Sequence, residues 1–207
     1  MPFLSQIRKV TSIEKLQADE SKINLMSKSS YFISYPEFLK YFGNLEAISR
    51  HNLIIGSNFT YGWMPTILDL NSGDIEDVVS SINTAKRGSP LDIGQLEQIG
   101  HCLNKSMVGA SKLLHFVNPH KYAIWDSRVY SYLTESTPHH YRLNDANSYL
   151  DYLQFCAEIT SLAEYEPIHK SMIQKVGYEM TRFRTVELIM YLSKNSLGVS
   201  DNVTKEL

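Results

Sequence analysis

Lys112 and Asp126 are the two residues with which a chemical reading of this chain begins. The stretch GASKLLHFVNPHKYAIWDSRV, residues 109–129, carries one lysine in an otherwise apolar run and a break at Asn118-Pro119-His120. One aspartate follows directly after Trp125 and two residues before Arg128. A desolvated, unprotonated lysine amine attacks an electrophilic carbon and gives a Schiff base. A fixed carboxylate beside a sugar's anomeric carbon stabilises the positive charge that builds as a leaving group departs, and it can orient or deprotonate a nucleophile. Glycoside hydrolysis uses carboxylates in the same way. Both residues also have a plain structural use. An aspartate at a helix start caps it, and a lysine can lay its stem over apolar neighbours while its ammonium stays in water.

An amine and an acid fourteen residues apart meet only if the segments that carry them fold back on one another, and those segments read as helices. Residues 111–116 look helical, the chain breaks at Asn118-Pro119, and SRVYSYLTES starts a second helix just beyond Asp126. Ser12 is a candidate N-cap for SIEKLQADESKINLMSK. YPEFLKYFGN reads as a short helix opened by Pro36 and closed by Gly43-Asn44. GDIEDVVSSINTAKRG runs from acidic to basic, as a helix dipole prefers. LDIGQLEQIGHCLNK has a buried stripe at Leu91, Ile93, Leu96, Ile99 and Leu103. A helix capped by Asn144 follows, and then one long helix over PIHKSMIQKVGYEMTRFRTVELIMYLSK. YFISY and NLIIG are the only β-like candidates, and Pro65 and Pro138 punctuate the chain without marking a linker. The expectation is an all-α, compact helical domain over residues 1–207. It has about eight to ten helices, one continuous core and room for two closely packed lobes, with a central helix-hairpin-helix element at about 104–134.

Composition narrows the class. With 43% hydrophobic and 20% charged residues, the 207-residue chain is globular rather than disordered. Cys102 and Cys156 have neither metal-type spacing nor the number for a disulfide framework. The start lacks a signal peptide's apolar core, and no apolar run approaches the roughly 18 residues of a membrane span. A soluble cytoplasmic protein is expected, without membrane contact and favouring a monomer. The net charge is −2, yet the segment from His101 to Arg142 carries +3. That local asymmetry suits a face that meets phosphate. His115 and the pair His139-His140 have no third ligand at fitting spacing, so no metal is expected.

Val108-Gly109-Ala110-Ser111-Lys112 followed by Asp126-Ser127-Arg128-Val129-Tyr130 resembles the core of the helix-hairpin-helix DNA glycosylase superfamily over about 30 residues. Within it, the chain looks closest to small phage-defence glycosylases that remove α-glucosylated hydroxymethylcytosine. The pattern departs from the family in four places. The usual Gly-x-Gly is reduced to Gly109, the lysine-to-aspartate separation is shorter, Arg128 falls two after the aspartate where the family's arginine lies further on, and no C-terminal four-cysteine cluster is present, so no iron–sulfur cofactor is implied. The resemblance implies a DNA-glycosylase-like fold and double-stranded DNA with a modified base as partner. It implies base excision by Asp126 and Lys112, without a cofactor. Hairpin amides near Gly109, helped by Lys105, Ser106, Ser111 and Arg128, would then meet phosphates. An extruded base needs a pocket, for which Asn58, Tyr61, Trp63 and Trp125 are the candidates. A non-catalytic nucleic-acid-binding protein and a helical scaffold, in which the lysine and aspartate are only a salt bridge and a cap, remain as rivals.

Overall fold

The computed structural model describes residues 3–25, 30–64 and 66–195. Among these the chain is all-α, with twelve helices and a single isolated bridge between Leu70 and Leu103. The helices are α1 (Phe3–Val10), α2 (Ile13–Glu20), α3 (Ser30–Gly43), α4 (Arg50–Trp63), α5 (Ile75–Lys86), α6 (Ile93–Cys102), α7 (Met107–Val117), α8 (Ser127–Thr134), α9 (His140–Leu143), α10 (Ala146–Ser161), α11 (Tyr165–Val176) and α12 (Arg182–Asn195). They pack in two sets. α3 to α6 gather round α7, while α12 lies against α2, α8, α10 and α11, and α1 closes on α8 and α10. The buried extended segment 122–126 joins the two sets.

Local chemistry sets most of the helix ends. Ser12 caps α2, with its hydroxyl accepting the Lys15 N–H. Asp92 and Gln95 form a reciprocal capping box on α6. Several expectations need correcting. YFISY and NLIIG lie within α3 and α4 and are not strands. Pro36 sits inside α3, which begins six residues earlier, rather than opening a helix. Asp145, not Asn144, caps α10, because its carboxylate accepts the N–H groups of Asn147 and Ser148. Asn144 instead accepts the Met107 N–H through its side-chain oxygen. The long C-terminal helix is two, α11 and α12. Gly177 at φ 81° ends the first by donating to the Ile173 carbonyl, a left-handed stop that costs glycine nothing. Pro65 and residues 26–28 of the first predicted helix lie outside the described residues.

Candidate active site

The stretch 104–134, expected to hold a helix-hairpin-helix element, contains α7, segment 122–126 and α8, and it follows α6 through a tight hairpin turn at 103–106. Asn104 and Lys105 both take left-handed backbone conformations, at φ 57° and 52°. Asparagine tolerates that region better than most residues, and its side chain secures the turn: Oδ1 accepts the Asp69 N–H and Nδ2 donates to the Ile67 carbonyl. Lys105 is left exposed in the turn. Ser106 caps α7, its hydroxyl accepting the Gly109 N–H at 3.1 Å. Of the first three α7 amides, Met107's goes to Asn144 and Gly109's to Ser106. No hydrogen bond among the described residues uses Val108's.

Segment 122–126 runs through the interior without a ladder, so side chains must satisfy its backbone. His115 Nδ1 bonds the Tyr122 carbonyl at 2.7 Å. Tyr149 donates to Ala123 and Tyr152 to Ile124. The Ser111 hydroxyl donates to the Trp125 carbonyl and accepts the Trp125 N–H. Because His115 Nδ1 must donate to a carbonyl, its Nε2 accepts from the Tyr35 hydroxyl at 2.7 Å, which fixes a neutral tautomer. Burial, followed by the nearby Arg184 charge, pulls this imidazole down to about 3.

That lacing delivers Asp126 to the start of α8. One carboxylate oxygen, Oδ1, accepts both the Arg128 and Val129 N–H groups at 3.0 Å, and no hydrogen bond among the described residues uses Oδ2. The residue is 9% exposed. Lys112 is half-buried one position after Ser111. Burial holds its amine below the usual lysine range. Asp126 opposes that as the leading favourable charge, followed by Glu187, while Arg184 and Arg128 push with the burial. Lys112 on α7 and Asp126 at the start of α8 form no ion pair among the described residues, and Asp126 acts on the amine as the leading opposite charge.

Two further charges stand behind them. Arg184 and Glu187 are wholly buried on α12 and paired through Arg184 Nη1 and Glu187 Oε2. Arg184 Nη2 donates to the Tyr31 hydroxyl at 3.0 Å. The guanidinium lies 4.6 Å from the Tyr35 ring centroid and 6.0 Å from that of Trp63, within cation–π reach. Burial pushes the Glu187 carboxyl up to about 7, against the pull of Arg184. Arg184 Nε and Glu187 Oε1 are buried without a hydrogen-bond partner among the described residues. Half-buried Tyr191, one helical turn beyond Glu187, carries the Arg128 guanidinium over its ring at 4.6 Å and lies parallel to Tyr31 at 6.0 Å.

The other sequence candidates scatter. Trp63 stacks on Tyr31 at 4.1 Å and donates its indole N–H to the Tyr31 carbonyl, so it belongs to the aromatic wall around Arg184. Tyr61 does not: it is buried, and its hydroxyl donates to Leu103, pinning the hairpin. Asn58 is exposed and bonds back to Ile54 on its own helix. Trp125 is fully enclosed, with its indole N–H on the Leu143 carbonyl, so its ring is core rather than pocket wall. Gly109 and Ser111 are buried and internally bonded, which removes them from the candidate phosphate contacts. Lys105 and Arg128 keep access to solvent, and Ser106 serves as a cap. A cavity of about 580 Å³, lined in part by Leu91, Tyr122, Leu153 and Phe183, contains none of the candidate residues.

The described residues hold no group of three potential metal ligands and no helix long and apolar enough to cross a membrane. Comparison with protein families, with curated proteins and with solved structures finds no match to this chain.

Proposed function

We propose that the protein is a DNA N-glycosylase that extrudes a modified base from duplex DNA and breaks its bond to the sugar. The observation that carries this reading is a lysine held below its usual range by burial, on which a helix-capping aspartate is the leading opposite charge, beside a turn that joins two helices. In the proposed reaction the unprotonated Lys112 amine attacks the anomeric carbon. The carbon–base bond breaks, its electron pair leaves with the base, and the base takes up a proton. Asp126, held through Oδ1, keeps Oδ2 for the positive charge that develops on the sugar. The nitrogen then loses its proton, the bond from the anomeric carbon to the ring oxygen breaks, that oxygen takes up a proton, and the Schiff base so formed permits strand cleavage at the abasic site. Were water the nucleophile, Asp126 would orient it and the strand would stay intact. Lys105, the Val108 amide and Arg128 are the phosphate contacts this reading retains. A purely gripping hairpin is less well supported, since two of the three leading amides of α7 are already used within the protein.

The test is a panel of duplexes carrying different modified bases, with released base identified by mass spectrometry. Glucosylated hydroxymethylcytosine is the first substrate, as the sequence resemblance implies. Asparagine also caps helices well, so Asp126→Asn should fold and retain DNA while base release falls at least about 100-fold, the scale of a lost charge-stabilising group. Borohydride should trap a covalent complex with the wild type and not with Lys112→Ala. If wild type releases base and Asp126→Asn releases it equally fast, the assignment is wrong.

A further inference from the structure

The cavity of about 580 Å³ shares no residue with the candidate site, and its size falls within the range of small-molecule pockets. The loop between α5 and α6, the connection after α7 and one face of α10 build most of it. On α10 the lining residues include Leu150, Leu153, Ala157 and Ser161. Their spacings of three and four place them in one stripe along the helix. At 1.5 Å per residue that stripe is about 16 Å long, so the cavity is a trough. Leu91 and Tyr122 form a buried floor. Leu150, Leu153 and Phe183, the last at the start of α12, keep part of their apolar surface open to solvent.

The walls are held without a ligand. The Thr181 hydroxyl donates to the Pro119 carbonyl at 2.8 Å, and Arg182 Nε donates to the Thr160 carbonyl at 2.9 Å. These bonds tie the connection after α7 and the end of α10 to the start of α12. A ligand therefore meets a formed site and loses little to ordering it.

The charges around the trough have one sign. Exposed His120 and Lys121 line it, and no aspartate or glutamate does. The neighbouring carboxylates of Asp151 and Glu158 are engaged elsewhere, by the Leu4 N–H and by Arg8. Tyr122 adds a donor that is loosely used. Its hydroxyl reaches the Ser89 carbonyl only at 3.5 Å, beyond the usual range for such a bond, and can turn to a closer acceptor.

We infer that this trough binds a carboxylate with an unbranched apolar tail. The tail lies along the α10 stripe against Phe183. The carboxylate stays at the 120–122 edge, where Lys121 offers charge and Tyr122 a hydroxyl. The length of the trough selects a linear tail over a compact ring system, its walls select hydrocarbon, and its cationic edge selects the anion. This site stands apart from the glycosylase reading and does not depend on it.

The experiment is calorimetric titration of the intact protein with decanoate at low ionic strength, with octanoate, decanol and naphthoate as comparison ligands. Decanoate should bind, and octanoate should bind about tenfold more weakly, because two methylenes leave the apolar wall. Decanol lacks the charge and should bind more weakly than decanoate. Lys121→Glu changes an exposed side chain, so it should fold as wild type. It should weaken decanoate about fivefold, as an attraction at an exposed site becomes a repulsion of similar size. Ala157 is exposed on α10, so Ala157→Trp keeps the helix, fills the trough and should abolish binding. Failure of wild type to bind decanoate at millimolar concentration overturns the inference. Undiminished binding by Ala157→Trp, which puts the ligand elsewhere, or by Lys121→Glu does the same. Decanol bound as tightly as decanoate removes the anion, and naphthoate bound more tightly removes the linear tail.

Discussion

Gly109→Ala offers a direct test of how the hairpin is held. The residue lies in the first turn of α7, where glycine normally costs a helix about 1 kcal/mol relative to alanine. On propensity alone the substitution stabilises. The surroundings reverse the sign, because a Cβ there would sit 2.1 Å from Tyr61 Oη and 2.8 Å from its Cζ. The ring cannot yield freely: it is buried, and its hydroxyl donates to the Leu103 carbonyl at 2.9 Å. Displacing it adds overpacking of about 1–3 kcal/mol and loses one hydrogen bond, about 1 kcal/mol, although the Leu103 carbonyl keeps the Ser106 N–H. Net destabilisation should be about 2 kcal/mol. In urea unfolding it appears as a lower midpoint with an unchanged slope. In a Tyr61→Leu background the clash disappears, so Gly109→Ala should be neutral or stabilising, and the cycle should show coupling of about 2 kcal/mol. Were Gly109→Ala as stable as wild type but weaker on DNA, the glycine would serve phosphate approach and the packing argument would be refuted.

His115 is neutral in the folded protein, and its value of about 3 lies below that of an unfolded histidine. Stability from this residue is therefore complete above about pH 6.5 and lost on acidification, by about 2 kcal/mol at pH 5; His115→Gln should flatten that part of a stability–pH curve, and an unchanged slope refutes the fixed neutral tautomer. Glu187 has the opposite sign, since a carboxyl raised to about 7 takes up its proton sooner when folded and adds stability as pH falls from about 7 toward 4.5. Lys105→Glu, exposed at the hairpin turn, should weaken DNA binding across all sequences and reduce its salt dependence; unaltered binding removes the hairpin from the interface.

Lys112 and Asp126 were legible in the sequence because their signals are local. A proline break, an apolar run on one side and a helix start on the other are readable within twenty residues. Arg184 and Glu187 were not, because an arginine and a glutamate three apart look like a solvent-facing helix pair. A better signal stood beside them: VELIMYL has apolar residues on every face. A helix apolar all round is buried, so its charges must be paired with something inside. The pocket expectation failed for a different reason. Asn58, Tyr61 and Trp63 are close in sequence, but they belong to α4, where helical spacing sends Asn58 to solvent, Tyr61 to the hairpin and Trp63 to the Arg184 wall.

The tyrosines connect the fold to the candidate site. The chain has 13 of them against 8 phenylalanines, and a buried phenol brings a hydroxyl that must find a partner. Tyr149 and Tyr152 spend theirs on the carbonyls of segment 122–126, Tyr35 on His115, Tyr61 on the hairpin and Tyr31 on Arg184. Phenylalanine in place of Tyr149 or Tyr152 would fill the same space and leave a buried carbonyl without its side-chain donor. The aromatic core is thus also the hydrogen-bonding frame that lets segment 122–126 cross the interior and present Asp126 at a helix start. Loss of a hydroxyl such as that of Tyr152 should therefore loosen the acid before it disturbs the amine.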